Sequence, residues 1–142
     1  MEWADKYAVG VREIDEQHQE IFKKIDWLMR SDDDIEEAIL FITSYVTEHF
    51  RSEEKIMEMI QYKGARKHRA THREFEKEMA GYIEMIPKIE GRSDLVSFRT
   101  ELGGKVAGWL LEHIASEDYK LSLAVKEFSD LALRDVPEEY LR

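Results

Sequence analysis

Residues 35–60, IEEAILFITSYVTEHFRSEEKIMEMI, contain an apolar seam whose steps alternate between four and three residues. The seam consists of Ile35, Ile39, Ile42, Val46, His49, Glu53, Ile56 and Ile60. This period predicts an α-helix that packs through one apolar stripe. Histidine and glutamate are costly in an apolar interior unless they are paired or bound to a metal. His49 and Glu53 therefore indicate a polar site inside a helical core.

Three other segments, residues 14–28, 68–86 and 95–113, have the same helical period. Short breaks at residues 30–33, 62–64 and 87–93 separate the four segments, and we expect Ser31 or Asp33 to cap the second helix and Ser93 to cap the fourth. Because short connections make neighbouring helices antiparallel, the sequence predicts an all-α, up-down-up-down four-helix bundle over about residues 12–118.

A short arm precedes the predicted bundle and a helical extension, residues 119–142, follows it, all within a single domain. Leu121, Val125, Phe128 and Ala132 form an apolar stripe along the extension. We expect this stripe to fold onto the bundle, and the alternative is a surface for self-association or for a separate protein partner.

The composition disfavours several classes of protein. A formal net charge of −10 disfavours binding to nucleic acid and to anionic membranes, and we predict neither as a partner. No apolar run is long enough to span a bilayer, and the N-terminus lacks the basic and apolar regions of a signal peptide. The chain has no cysteine and hence no thiolate ligand. We therefore expect a cytoplasmic protein.

All five histidines of the chain occur at spacings typical of metal ligands, and two carboxylates accompany them. The set is His18, His49, Glu53, His68, His72, His113 and Asp118. Any one pair alone is better explained as a helix-surface pair. The four seams, however, bring the whole set to one level of the bundle. Because one zinc ion takes about four ligands, seven such residues suit two metal ions bridged by the carboxylates.

The spacing between His113 and Asp118 conflicts with a regular helix. Residues five apart lie about 140° apart around an α-helix, so both cannot face one point. The sequence therefore predicts an irregularity between residues 113 and 118, either a π-bulge or a helix end near Glu117.

The donor set also predicts the kind of metal chemistry. Five imidazoles, two bridging carboxylates and one oxide or hydroxide bridge fill about eleven of the twelve positions on two octahedral metals. The open position suits reversible binding of a small oxidant such as O2 to a reducible iron pair. Zinc fits the same donors as a structural staple but has no redox chemistry.

These residues are part of a longer signature: Trp3, Tyr7-x-Val9-Gly10-Val11, Ile14-Asp15-x-Gln17-His18, His49-Phe50-x-x-Glu53-Glu54, His68-x3-His72 and Trp109-Leu110-x-x-His113-Ile114-x3-Asp118. In this signature the chain resembles the hemerythrin family, specifically its bacterial hemerythrin-like domains, over about residues 3–118.

The resemblance implies a role for each matching residue. His68, His72 and His113 would hold a six-coordinate iron, His18 and His49 would hold the iron with the open position, and Glu53 and Asp118 would bridge the two. The residues implied to line an oxygen pocket are Ile21, Phe50, Trp109, Leu110 and Ile114. Asp15 and Glu54 are candidate hydrogen-bond partners of the ligands, although a capping role and a solvated position are the simpler interpretations.

The function implied by the resemblance is reversible O2 binding by a non-haem di-iron centre with an oxo or hydroxo bridge, for carrying, storing or buffering O2. No catalytic residue is implied, and we expect a protein that is not an enzyme. Three alternatives stay open: an oxygen or redox sensor that acts through a separate partner, a di-iron enzyme that reduces peroxide or nitric oxide, and a structural protein with a zinc staple.

Overall fold

The computed structural model describes residue 4 and residues 7–134, with side chains through residue 131. Five α-helices occur in this part of the chain: α1 (Arg12–Arg30), α2 (Ile35–Met59), α3 (Ala65–Met85), α4 (Gly91–His113) and α5 (Tyr119–Arg134). A 3-10 turn (Ile86–Lys88) follows α3, and a π-helical segment (Ile114–Asp118) joins α4 to α5. The described residues include no strand. Trp3 and residues 135–142 lie outside them.

The first four helices form the predicted antiparallel bundle. Helix α1 packs against α2 and α4, and α2 packs against α3. The seams identified in the sequence provide the core, which includes Ile21, Ile25, Leu28, Ile39, Ile42, Val46, Phe75, Met79, Leu102, Val106 and Leu110. Among residues 7–134, no helix combines the length and the hydrophobicity that crossing a membrane requires. The all-α fold class predicted from the sequence is confirmed.

The N-terminal arm, residues 7–11, is tied to the start of α1. Asp15 accepts hydrogen bonds from the backbone amides of Val9 and Gly10, at 2.8 and 3.2 Å. Tyr7 and Val9 pack against the edge of the core. Asp15 therefore ties the arm to α1, whereas the N-cap residue of this helix is Val11 and no side chain caps it.

Two of the expected helix caps are wrong. The N-cap of α2 is Asp34, whose carboxylate accepts a hydrogen bond from the amide of Glu37 at 3.0 Å, whereas Ser31 accepts from the amide of Asp33 one turn earlier. Helix α4 begins at Gly91, two residues before Ser93. Gly91 has a φ of +76°, a conformation that glycine adopts without strain. The chain therefore enters α4 at Gly91, and Ser93 lies inside the first turn of the helix.

Buried Arg99 on α4 holds the connection between α1 and α2. Its guanidinium donates to the backbone carbonyls of Leu28, at 3.1 Å, and of Asp33. Beside it, a Cβ at Gly103 would lie 2.2 Å from the Cγ of Met29, so glycine permits the close approach of α4 to α1. These contacts fix the relative height of α1, α2 and α4, and hence of the side chains they contribute to one layer.

The π segment is the irregularity predicted between residues 113 and 118. It keeps His113 and Asp118 on the same side of the helix although they are five residues apart. Helix α5 continues directly from it. Leu121 is buried and Val125 is half-buried, whereas Phe128 is exposed. The expectation that the whole stripe folds onto the bundle is therefore confirmed only for its first two turns, and the side chain of Ala132 lies outside the described residues.

We expect Asp34→Ala to reduce the free energy of unfolding by about 1 kcal/mol, because it leaves an amide at the start of α2 without its acceptor. Asp33→Ala is the matched control, and its effect should stay within about 0.5 kcal/mol because the Asp33 side chain is not the cap. Urea unfolding of both variants in the same metal-free state provides the comparison. Equal losses of stability would contradict the assignment of the cap.

Candidate metal centre

Seven buried side chains from the four bundle helices and the π segment form two groups near one end of the bundle. One group contains Glu53, His68, His72, His113 and Asp118, and the other contains His18, His49, Glu53 and Asp118. Within each group, one nitrogen or oxygen atom per residue lies within 4.8 Å of all the others. None of the seven side chains is more than 4% exposed. The structure thus brings together every residue predicted from the sequence as a metal ligand.

Glu53 lies between the two groups and directs one carboxylate oxygen towards each. Its Oε1 is 3.0 Å from the Nε2 of His72 and 3.3 Å from the Nε2 of His68. Its Oε2 is 3.4 Å from the Nε2 of His49 and 3.9 Å from the Nε2 of His18. The two oxygens of one carboxylate are therefore divided between the groups.

Asp118 repeats this arrangement from the opposite side. Its Oδ1 lies 3.0 Å from the Nε2 of His68 and 3.1 Å from the Nε2 of His113, whereas its Oδ2 lies 3.0 Å from the Nε2 of His18. The π segment makes this possible, because a regular helix would turn Asp118 away from His113. Two carboxylates that each face both groups have the placement expected of bridging ligands.

Several polar atoms at the centre lack a hydrogen bond of normal geometry within the described residues. Four of them face the space between the two groups: the Nε2 of His49, the Oε2 of Glu53 and both carboxylate oxygens of Asp118, all buried. Buried polar groups are normally hydrogen-bonded, and buried charges are normally paired or bound to metal. Cations held between imidazole nitrogens and carboxylate oxygens would satisfy all four atoms. The donor set therefore fits a pair of divalent or trivalent metal ions.

A comparison with known protein families agrees with this geometry. Residues 9–123 match the family described as the hemerythrin HHE cation binding domain. The chain belongs to the hemerythrin family. The buried cluster of histidine, glutamate and aspartate is typical of a hemerythrin di-iron site.

Similar hemerythrins occur in several organisms. The bacteriohemerythrin of Pseudomonas paraeruginosa is 28% identical over 141 residues, which cover 96% of this chain and 88% of the relative. That of Stenotrophomonas maltophilia is 29% identical over 129 residues, covering 87% of this chain and 80% of the relative. That of Clostridium acetobutylicum is 26% identical over 125 residues, covering 82% and 94%.

In the metal-free hemerythrin centre, the carboxylates retain protons on two histidines. Burial alone would lower the pKa of His68 and of His113, but the nearby carboxylates of Asp118 and Glu53 outweigh burial and raise each pKa to about 9. For His72 burial prevails over Glu53, and its pKa is lowered. Burial would raise the pKa of Glu53 and of Asp118, yet the surrounding histidines lower both.

Two hydrogen-bond partners of the histidines were missed at the level of the sequence. Gln17 Oε1 lies 2.6 Å from the Nδ1 of His49, and Thr71 Oγ1 lies 3.3 Å from the Nδ1 of His113. Glu54, one of the two candidates considered, instead accepts two hydrogen bonds from Arg73, at 2.6 and 2.9 Å. Its carboxylate is 3.8 Å from the Nδ1 of His72, beyond hydrogen-bond distance. The motif around His18 does contain Gln17, but its contact with His49 depends on the packing of α1 against α2.

Two of the five residues expected around an oxygen pocket, Phe50 and Trp109, contact histidines of the centre. Ile21, Phe50, Leu110 and Ile114 are buried in the core, and Trp109 is partly buried against it. The ring of Phe50 stacks on His72 with centroids 3.8 Å apart, and the ring of Trp109 stacks on His113 at 4.7 Å. Both aromatic rings therefore pack on the group of three histidines, and a role of these residues around O2 stays a prediction.

We expect Glu53→Gln to abolish binding of two metal ions or to weaken it by at least about 100-fold. This loss exceeds the loss of metal affinity that usually follows removal of a residue that only hydrogen-bonds to a ligand. The amide keeps the size of the side chain but removes the charge that faces both groups. The neighbouring change Glu54→Gln is the matched control, since it also removes one negative charge but leaves both metal groups intact; the charge it removes faces Arg73 and Arg69. Zinc titration with a competing chelator measures both, and equal affinities would argue against a bridging role for Glu53.

The raised pKa values of His68 and His113 make metal binding depend on pH. In the metal-free protein below about pH 9, each of these two rings is an imidazolium with a proton on both nitrogens. A metal that binds one nitrogen has to displace the proton there. Zinc affinity should therefore rise from about pH 7 to about pH 9 and then level off, with release of about two protons per chain at neutral pH. The stability that these protons contribute is complete below the ordinary histidine pKa and is lost as the pH rises through about 9.

Calorimetric titration in buffers of different ionisation enthalpy measures the number of protons released on binding. Binding of zinc without proton release at neutral pH would show that the two rings are not protonated in the metal-free protein.

Proposed function

We propose that this chain is a non-haem di-iron protein that binds O2 reversibly, as a carrier, store or buffer of O2. The observation that carries the proposal is the division of seven buried donors into two groups that share Glu53 and Asp118. In this proposal His68, His72 and His113 hold one iron, His18 and His49 hold the other, and the two carboxylates bridge them.

The two groups differ in the number of imidazoles, and this difference supports a site for a small ligand. Three histidines would hold one metal and two would hold the other, so the protein would offer the second metal one imidazole fewer and leave room for a small ligand. When bound there, an iron pair supplies the open position and the electrons with which O2 is held.

The protein's own part in the proposed function is to exclude water and to withhold protons. Ile21, Phe50, Leu110 and Ile114 are almost inaccessible to solvent, and none of them is an acid or a base. A dry apolar wall retains a neutral diatomic ligand and slows hydrolytic side reactions.

We accordingly propose no catalytic residue, and O2 is the ligand. The net charge of −10 supports neither nucleic acid nor a membrane as a partner, and a cytoplasmic location stays a prediction.

A sensor is the second candidate, and the geometry of α5 favours it. This helix begins at Tyr119, directly after Asp118, so continuous helical backbone connects the metal centre to α5. Leu123, Phe128 and Leu131 on α5 are exposed and available to a separate protein. The sensor and the carrier share the same metal centre and differ in whether O2 is released unchanged.

The experiment loads the metal-free protein with iron(II) without oxygen, admits air, records the visible spectrum, and then removes the oxygen. An absorption band that appears with air and disappears on deoxygenation is the expected result, through several cycles. Glu53→Gln, treated identically, should show no such band, and Glu54→Gln should behave like the unaltered protein. Rapid conversion to a stable diferric spectrum that does not reverse would overturn the carrier function and favour a redox sensor or an enzyme.

A further inference from the structure

Gln17 makes a short contact to His49 from outside the two metal groups. It lies on α1, one residue before His18, and its Oε1 is 2.6 Å from the Nδ1 of His49 on α2. His49 is only 1% exposed, so water has little access to replace this partner. A neutral imidazole carries one proton, on either Nδ1 or Nε2, and the partner of one nitrogen determines which tautomer is favoured.

A serine fixes the orientation of the Gln17 amide. The Nε2 of Gln17 donates to the hydroxyl oxygen of Ser52 at 3.3 Å, and that hydroxyl donates its hydrogen to the backbone carbonyl of Glu48 at 3.2 Å. Because the one hydrogen of Ser52 is already used, its oxygen acts towards Gln17 as an acceptor. The amide NH2 of Gln17 therefore faces Ser52, and the amide oxygen faces His49.

We propose that Gln17, anchored by Ser52, is a positioning residue that fixes His49 as the Nδ1–H tautomer and leaves its Nε2 free to bind a metal. The opposite amide orientation would direct NH2 at Nδ1 and require the proton on Nε2, where it blocks the metal. This inference rests on the proposed function only because it takes His49 as a metal ligand. It adds that a contact from α1 selects the tautomer of His49 that can bind a metal.

His113 has a shorter version of the same device, which supports the interpretation of the serine. The hydroxyl of Thr71 donates to the backbone carbonyl of His68 at 2.7 Å, so its oxygen accepts from the Nδ1 of His113 at 3.3 Å. In both cases a hydroxyl whose hydrogen is bound to a helix carbonyl favours a proton on Nδ1, directly at His113 and through Gln17 at His49. Gln17 serves the group with only two histidines, in which loss of one imidazole removes half of the nitrogen ligands.

Four variants test the proposal: Gln17→Leu removes the acceptor, Gln17→Glu keeps an acceptor, Ser52→Ala removes the anchor, and Gln19→Leu is the matched control. Gln19 lies two residues along α1, about 200° around the helix axis from Gln17. The first measurement is the pair of 15N shifts of the His49 ring in the metal-free protein, at a pH where the ring carries one proton. The second is zinc(II) affinity and stoichiometry by competition with a chelator.

The unaltered protein, Gln17→Glu and Gln19→Leu should show the proton on Nδ1 of His49. Gln17→Leu should shift the ring towards the Nε2–H form and weaken binding of the second zinc ion by about 10-fold to 100-fold, the usual cost of losing a partner of a ligating histidine. Ser52→Ala should give a mixture of tautomers and a smaller loss of affinity. It also tests the proposal if Gln17→Leu does not fold.

The outcomes separate this inference from the proposed function. If Gln17→Leu, or Ser52→Ala in its place, keeps the Nδ1–H signal and the full zinc affinity, Gln17 does not position His49. If the unaltered protein binds fewer than two zinc ions per chain while His49 is the Nδ1–H tautomer, the dinuclear site fails and the role of Gln17 in setting the tautomer stands.

Discussion

Burial of two carboxylates among five imidazoles is the constraint on which the rest of this structure depends. Glu53 and Asp118 lie in the interior of an apolar bundle, where an isolated charge would be strongly unfavourable. The histidines that surround them lower the pKa of both carboxyl groups and keep them charged. Without a metal this compensation requires protons on His68 and His113; bound metal cations would satisfy the same donors in their place. The polar centre and the fold therefore require each other.

The bundle supplies this centre through the relative heights of its helices. Away from the metal groups, Arg99 on α4 binds the connection between α1 and α2, and Gly103 lets α4 approach α1 closely. These contacts fix the positions of the three helices along the bundle axis. Near the centre, the π segment turns Asp118 back into the interior at the cost of regular helical hydrogen bonding. Irregular helical segments of this kind often occur at functional sites, and here the reason is geometric, since the ligand spacing of five residues does not fit an α-helix.

Most of the fold and the clustering of the seven candidate ligands could be predicted from the sequence, because a regular helical period places residues on one face without knowledge of the neighbours. The π irregularity could also be predicted, from the spacing of His113 and Asp118 alone. The caps could not: residues 31–34 offer four capping side chains in a row, and only the path of the connection selects Asp34. Gln17 and Thr71 were missed because their partners lie 32 and 42 residues away on other helices, so each contact depends on packing and side-chain rotamers.

The most direct test of the central claim is anomalous X-ray diffraction from crystals of the iron-loaded protein, recorded on both sides of the iron absorption edge. Two separate iron peaks per chain are predicted, one beside His68, His72 and His113 and one beside His18 and His49, with Glu53 and Asp118 contacting both. A single peak, or iron bound away from these residues, would contradict the dinuclear centre from which the proposed function is derived.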